Sequence, residues 1–202
     1  MPRRSGQVDV AKAEAMLVAA AEVISERGFG APVEAIAKRA GVSKQTLYNH
    51  FGGKAGLLRA LIRQRVDDLT APLAEGGAGT EAILAAFAFD LMQAMLSPAN
   101  VALTRVAIQG AVDMPEIAQA MHETGALAAL ARLADFLKAE TAAGRLDVDD
   151  PDGAAELFVG MIGTRQVRAL MGLPLDTDTA TLERLCATIA RRFVAAYAPR
   201  AT

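Results

Sequence analysis

A short polar segment of the chain, residues 41–54 (GVSKQTLYNHFGGK), carries side chains suited to binding DNA. Gln and Asn amides can pair bidentately with adenine, and a Thr methyl group can contact the methyl group of thymine. Lysines neutralise phosphates, while Tyr and His donate hydrogen bonds to them. The segment is therefore predicted to bind double-stranded DNA. Its candidate DNA-binding residues are Lys44, Gln45, Thr46, Tyr48, Asn49, His50 and Lys54.

The flanking residues predict a helix, a tight turn and a second helix over residues 33–51. Gly41 can adopt the left-handed backbone that ends the first helix, and Ser43 can cap the second. Such a helix-turn-helix inserts its second helix into the DNA major groove. A polar surface helix in an unrelated bundle is the alternative. The residues expected to form the buried side are Ile36, Ala40, Val42, Leu47 and Phe51.

Composition and charge indicate a folded protein with one basic end. Of the 202 residues, 52% are hydrophobic, which is enough to bury a core. Residues 1–65 hold 11 Lys and Arg against 5 Asp and Glu, whereas residues 66–202 hold 10 against 18. A basic first third suits contact with a polyanion. The single cysteine, the lack of an apolar run of about 18 residues and the absence of an export signal predict a cytoplasmic protein without membrane contact.

Hydrophobic periodicity predicts an all-α fold. A stripe of apolar residues ends at Gly28, and the helix-turn-helix is followed by a helix over about 54–73. The segment 74–80 (AEGGAGT) is expected to be a flexible joint. Further helices are predicted at 80–95, 98–112, 115–143 (irregular near Gly125), 151–172 and 178–198. We assign residues 1–60 to a helix-turn-helix domain and residues 61–202 to a larger α-helical body.

Enzyme and metal chemistry find little support in the sequence. The segment 77–82 (GAGTEA) fits a dinucleotide fingerprint, but it follows a helix where that fingerprint requires a strand. The run 147–153 (DVDDPDG) lacks calcium ligands at its fifth and twelfth positions. His122 is a lone imidazole, and Cys186 falls on an amphipathic helix where a buried, inert thiol is expected. No enzyme, cofactor or metal is predicted.

The run from Gly28 to Leu58 closely resembles the DNA-binding domain of the TetR family of bacterial transcriptional regulators. The resemblance implies a three-helix DNA-binding head, a fourth connecting helix, and an α-helical body that binds a small-molecule effector and dimerises. Such proteins usually repress transcription and release DNA when the effector binds. The resemblance places Lys54 as a phosphate-contacting residue. One departure is Pro32-Val33, where the family often has a Thr or Ser that caps the helix and contacts the DNA backbone. This contact is either missing here or replaced by backbone N–H groups of the helix N-terminus.

The body is similar to a C-terminal domain found in part of the TetR family. We expect an apolar pocket there, with Arg105 and Gln109 orienting a polar group of the effector, because both interrupt an apolar helix. Solvent exposure, or pairing with Asp90 or Glu140, is the alternative for these two residues. A DNA-binding protein with a solid body and no ligand is the alternative function. The candidate lining residues are Phe87, Leu91, Met92, Met95, Arg105, Gln109, Met121, Phe136, Phe158 and Met161.

The last two predicted helices are expected to form the homodimer interface as a four-helix bundle. One face of the first helix is small and apolar, and one face of the second is a continuous apolar stripe, which would be exposed on a monomer. The first face comprises Gly160, Thr164, Val167 and Met171, and the second comprises Leu182, Leu185, Ile189 and Phe193.

Overall fold

The computed structural model describes residues 4–28, 30–75, 79–112 and 122–199, together with 115 and 119. These residues form helices joined by turns and loops, and none of them lies in a strand. The predicted all-α class is confirmed. From residue 54 onward the helix bounds agree with the sequence expectations to within about two residues, except for the start predicted at residue 115, which the described residues do not test. The helices are α1 Arg4–Arg27, α2 Val33–Arg39, α3 Lys44–Phe51, α4 Lys54–Glu75, α5 Thr80–Leu96, α6 Pro98–Gly110, a π-helical segment His122–Leu127, α7 Ala128–Ala142, α8 Pro151–Leu170 and α9 Thr179–Ala196.

Local sequence signals account for several helix boundaries. The Asp150 carboxylate accepts from the N–H of Gly153 at 3.0 Å, with Pro151 at the first helical position of α8. Asp178 caps α9 in the same way through the N–H of Thr181, at 3.0 Å. The irregularity expected near Gly125 is the π-helical segment, which continues directly into α7. Most of the predicted helix over 115–121 lies outside the described residues.

The chain divides into two compact units. The first comprises residues 1–65 and 106–124, and the second comprises residues 66–105 and 125–202. α4 begins in the first unit and continues into the second. The boundary after residue 60 expected from the sequence stays a prediction. Among the described residues no single helix is long and apolar enough to cross a membrane; α5 and α6 meet the criterion only together, as a pair bent by 61°.

The first unit has its own small core, built by α1, α2, α3 and the start of α4. Met16 and Val23 of α1, Ile36 of α2, Leu47 of α3 and Leu57 of α4 are almost fully buried there. Burying such side chains contributes about 1.5–3 kcal/mol each. The orientation of α3 is therefore determined by apolar contacts made on its inner side.

The second unit buries α9 against α5, and this corrects one expectation. Leu182, Ile189 and Phe193 are each less than a tenth exposed, and Leu185 is partly buried, because they pack into the core of their own chain. The expectation that this stripe is exposed on a monomer and available for a dimer interface is wrong. Periodicity showed that the stripe must be covered, but not that α5 covers it.

A buried carboxylate joins three parts of the second unit. Glu140 of α7 accepts from Nε and from a terminal nitrogen of Arg145 at 2.8 and 2.6 Å, and it also accepts from the hydroxyl of Thr80 at the start of α5. Hydrogen bonding from Arg145 lowers the pKa of Glu140, against the opposing effect of burial. The carboxylate therefore stays ionised and holds the start of α5 to the end of α7.

We predict that Glu140→Ala lowers the free energy of unfolding by about 2 kcal/mol near pH 7, because Thr80 and Arg145 lose their acceptor. A carboxyl group whose pKa is lowered by folding stabilises the protein above its ordinary pKa of 4.5 and ceases to do so as the pH falls through the lowered value. Urea denaturation at several pH values measures both effects. Glu81→Ala, at an exposed position next to Thr80, is the control; an equal loss in both variants would contradict the prediction.

Candidate nucleic-acid interface

The turn between α2 and α3 forms as expected from the sequence. Gly41 has a φ of +67°, and its N–H donates to the carbonyl of Lys38 at 3.3 Å while that of Val42 donates to Ala37 at 3.0 Å. Ser43 then caps α3, accepting from the N–H of Thr46 at 3.0 Å. The helix-turn-helix prediction for residues 33–51 is confirmed in its geometry.

The outer face of α3 presents most of the predicted DNA-binding side chains to solvent. Leu47 is fully buried, whereas Thr46 is half-buried beside Ser43, with their hydroxyl oxygens 2.8 Å apart. Ile36 is also fully buried, and Ala40, Val42 and Phe51 pack partly buried around it. The exposed members of the predicted DNA-binding set are Lys44, Gln45, Tyr48, Asn49 and His50.

The exposed side chains of α3 are held by one another and by α2. Lys44 Nζ lies 2.5 Å from Oε1 of Glu34 and 5.6 Å from the centroid of the Tyr48 ring. Gln45 donates from Nε2 to Oδ1 of Asn49 at 2.8 Å, one helical turn away. The hydrogen bond to Glu34 raises the pKa of Lys44. The amide and ammonium groups are thus arranged on one surface.

Lys54 differs from these residues because it is only partly exposed. Its ammonium group donates to the carbonyl oxygen of Ala31 at 2.7 Å, which ties the start of α4 to the loop before α2. Burial lowers the pKa of Lys54. The backbone between α3 and α4 is also constrained: Gly53 has a φ of +111°, and a Cβ there would lie 3.3 Å from Cε1 of Tyr48.

The start of α2 departs from the family pattern in the way that the sequence indicated. Pro32 precedes the helix and makes no side-chain capping bond, and Glu34 lies in the first turn. At the other end of α2, Arg39 donates to Glu26 at 2.8 Å and to Glu22 at 2.9 Å, which pins α2 to α1. Sequence reasoning missed Glu34, although an acidic residue beside a basic recognition helix is a signal in its own right.

The candidate effector-binding residues lie in different environments. Met95 is half-buried, Met161 is 43% exposed, and Met121 lies outside the described residues. The rings of Phe87 and Phe158 stack with centroids 6.2 Å apart. The members of the set that belong to the packed core are Phe87, Leu91, Met92, Phe136 and Phe158.

Arg105 and Gln109 are both exposed, as the alternative for these residues anticipated. Arg105 donates to the carbonyls of Leu170 and Ala169 at 2.8 and 2.9 Å. These are terminal carbonyls of α8, and a cation at this end of a helix is favourable. The positions of Arg105 and Gln109 give no support to an effector-anchoring role, which stays a prediction.

A groove of about 880 Å³ runs along one face of α8. Its apolar part includes Leu157 and Met161, and Tyr197 lies at its edge. Val167 lies farther along α8 and Met171 directly follows its last residue, and their side chains are 55% and 69% exposed. This helix therefore leaves apolar side chains uncovered. The groove is lined by Asp149, Asp150, Gly153, Ala154, Glu156, Leu157, Gly160, Met161 and Tyr197.

Cys186 is buried in the second unit, as expected. Burial raises the pKa of its thiol to about 11. The thiol is therefore protonated near neutral pH, which makes it a poor nucleophile.

Comparison with known families identifies the chain. Residues 16–61 match the family of bacterial regulatory proteins described as the tetR family, and residues 82–199 match the AefR-like transcriptional repressor, C-terminal domain. The second match spans more than half of the chain. The protein therefore belongs to the TetR family of bacterial transcriptional regulators, which are DNA-binding proteins with a helix-turn-helix.

Individual relatives agree with this assignment. A putative TetR-family regulator from Mesorhizobium loti is 27% identical, with a TM-score of 0.73, over 94% of this chain and 98% of that one. A flavonoid-responsive regulator, FrrA, is 31% identical, with a TM-score of 0.66, over 95% and 99%. The transcriptional activator FasR of Mycolicibacterium smegmatis is 47% identical over 55 residues, which are 27% of this chain and only 25% of that protein.

Proposed function

We propose that the protein is a cytoplasmic, homodimeric repressor that leaves a palindromic operator when a small apolar molecule binds its second unit. The observation that carries the proposal is the Ser43-capped α3, whose exposed face bears Lys44, Gln45, Tyr48 and Asn49. Repression is favoured over activation because the longer family match is to the C-terminal domain of AefR-like repressors. The match to the activator FasR covers only the DNA-binding end.

The DNA-binding part of the proposal assigns different roles to the residues of α3 and α4. Gln45 and Asn49 can contact adenine edges, whereas Lys44, Tyr48, His50 and Lys54 contact phosphates. The mutual hydrogen bond between Gln45 and Asn49 occupies one donor and one acceptor. The remaining amide groups of the pair are available for base edges.

We predict that the double variant Gln45→Ala, Tyr48→Ala weakens operator binding by at least about 30-fold, since two lost DNA contacts at about 1 kcal/mol or more each remove at least about 2 kcal/mol. Helicity should not change, because both side chains are exposed. Fluorescence anisotropy with an operator selected from a random duplex library measures the affinity. Lys12→Ala, an exposed site on α1, is the control; wild-type affinity in the double variant would reject the role of α3.

Dimer formation is proposed through α8 rather than through the buried stripe of α9. The exposed apolar residues of α8 need a cover, and a second copy of the same face is self-complementary about a two-fold axis. Gly160 lies within this face and permits close helix approach. Two heads on half-sites about 34 Å apart would then bind one palindrome.

We predict that Gly160→Arg dissociates the dimer into monomers. A Cβ at Gly160 meets no atom within 4 Å in the chain itself, so the substitution does not disturb the fold of one subunit. It places a long charged side chain where a second α8 would pack. Light scattering at micromolar concentration measures the mass, with Ala131→Arg on the exposed side of α7 as control. A dimeric Gly160→Arg protein would exclude this face.

Effector binding is proposed among the Phe and Met side chains of the second-unit core. Methionine adapts to ligands of varied shape, and aromatic walls suit apolar rings. Similarity to a flavonoid-responsive regulator supports an effector of this kind.

α7 carries the core residue Phe136 and, one turn earlier, Arg132. Arg132 donates to the Thr70 hydroxyl at 2.6 Å and pairs with Asp67, both on α4. A ligand that displaces α7 would therefore move the second half of α4.

We predict that Arg132→Ala leaves effector binding intact but raises several-fold the effector concentration that releases DNA, since the coupling between α7 and α4 is weakened. Calorimetry measures binding and anisotropy measures release, using a panel of flavonoids and other apolar aromatic compounds. Lys138→Ala, which removes only exposed ion pairs with Asp135 and Asp152, is the control. Identical release curves for wild type and Arg132→Ala would rule out this route.

A further inference from the structure

The helix-turn-helix contains a carboxylate paired with the first lysine of its recognition helix. Oε1 of Glu34 lies 2.5 Å from Nζ of Lys44, with 57% and 54% of the two side chains exposed. The ammonium group of Lys44 also lies over the ring of Tyr48, 5.6 Å from the ring centroid. A negative charge therefore occupies the surface on which phosphates are expected.

Buried neighbours determine where both partners lie. Val33 and Ile36 flank Glu34 along α2 and are 7% and 0% exposed, so the first turn of α2 is anchored to the core. Leu47, one turn after Lys44, is fully buried and anchors α3. Because the four-residue turn at Gly41 is also constrained, the two side chains are kept within reach of each other. The fold therefore places the backbone of Glu34 and of Lys44 at positions from which their side chains can pair.

The basic residues Arg39, Lys44 and Lys54 have different partners. Arg39 is engaged by Glu22 and Glu26, which belong to α1. Lys54 donates to a neutral carbonyl oxygen. The positive charge of Lys44 is neutralised by a carboxylate from the helix-turn-helix itself, that of Glu34.

An exposed ion pair of this kind contributes little to folding, because water screens it and both side chains lose conformational freedom. The ion pair is expected to have a larger effect on the affinity for DNA. Binding to the DNA backbone gains free energy from counterions that are released when cations neutralise phosphates. A lysine already neutralised by Glu34 releases fewer counterions, and the carboxylate is repelled by the phosphates once Lys44 leaves it.

We propose that Glu34 competes with the DNA backbone for Lys44 and thereby limits sequence-independent binding of the protein to DNA. This inference rests on the proposed DNA-contacting role of α3. Glu34 thus lowers the affinity of the protein for DNA through Lys44, without itself contacting DNA. Neutralising Glu34 frees Lys44 to bind a phosphate and removes a repulsive charge.

The test uses the full-length protein and a duplex of about 30 base pairs with arbitrary sequence, titrated by anisotropy between about 50 and 200 mM salt. Glu34→Gln is expected to bind roughly 3–10-fold more tightly at the low-salt end. Its plot of log K against log salt should be steeper by about 0.9 for each additional phosphate neutralised. Glu14→Gln, at an exposed position of α1, makes the same change in net charge and is the matched control.

A double-mutant cycle attributes the effect to the ion pair. Lys44→Gln should cost less than about 2-fold in the wild-type background and should abolish most of the gain in the Glu34→Gln background. Equal losses in the two backgrounds, or equal gains in Glu34→Gln and Glu14→Gln, would overturn the proposal. Circular dichroism verifies that each variant is folded.

The same data separate this inference from the proposed function. If the wild-type protein binds duplex DNA with a steep salt dependence and Glu34→Gln behaves like wild type, only the role of Glu34 is rejected. If the wild-type protein does not bind duplex DNA at any salt concentration, both the proposed function and the role of Glu34 are rejected.

Discussion

The chain turns from α2 into α3 within four residues, and the position of the exposed polar face of α3 depends on that turn. Gly41 adopts a φ of +67°, a conformation that costs other L-residues about 1 kcal/mol or more. Two backbone hydrogen bonds close the end of α2, and Ser43 immediately caps the start of α3. With Leu47 buried on the inner side, one face of α3 is left to point outward. The polar residues of that face occupy their positions because the backbone permits no other direction for the helix.

Several basic side chains of the first unit are bound to acceptor groups of the same unit. The net positive charge of residues 1–65 suggests attraction to a polyanion, but Arg39 and Lys44 have carboxylate partners and Lys54 has a carbonyl partner. Arg39 and Lys54 hold α2 and α4 in place. Lys44 is held by Glu34 on an exposed surface, where the neutralisation affects binding more than folding. Counting basic residues therefore overestimates the charge that is available to DNA.

In the second unit, burial distinguishes two helices that have similar sequence patterns. α9 places its apolar stripe in the core against α5, where the ring of Phe193 packs edge to face on Phe158 with centroids 5.0 Å apart. α8 buries Phe158 and Ile162 but leaves Leu157, Val167 and Met171 exposed. One apolar side of α8 is therefore left uncovered by the rest of the second unit. The guanidinium group of Arg105, a residue of α6, donates to the last carbonyls of α8.

The sequence by itself determined the features that depend on neighbours in the chain. They are the helix bounds, the Gly41 turn, the caps at Ser43, Asp150 and Asp178 and the buried side of α3, which follow from interactions across about five residues or fewer. The family resemblance carried by residues 28–58 was sufficient for the class of protein. Tertiary structure alone decided which surface covers each apolar stripe and which partner each charged group meets. Arg105 meets α8 from 64 residues away, and Glu34 meets Lys44 across a turn. Local periodicity reports that a side chain must be buried or paired, but long-range partners depend on how the helices pack, which no short stretch of sequence encodes.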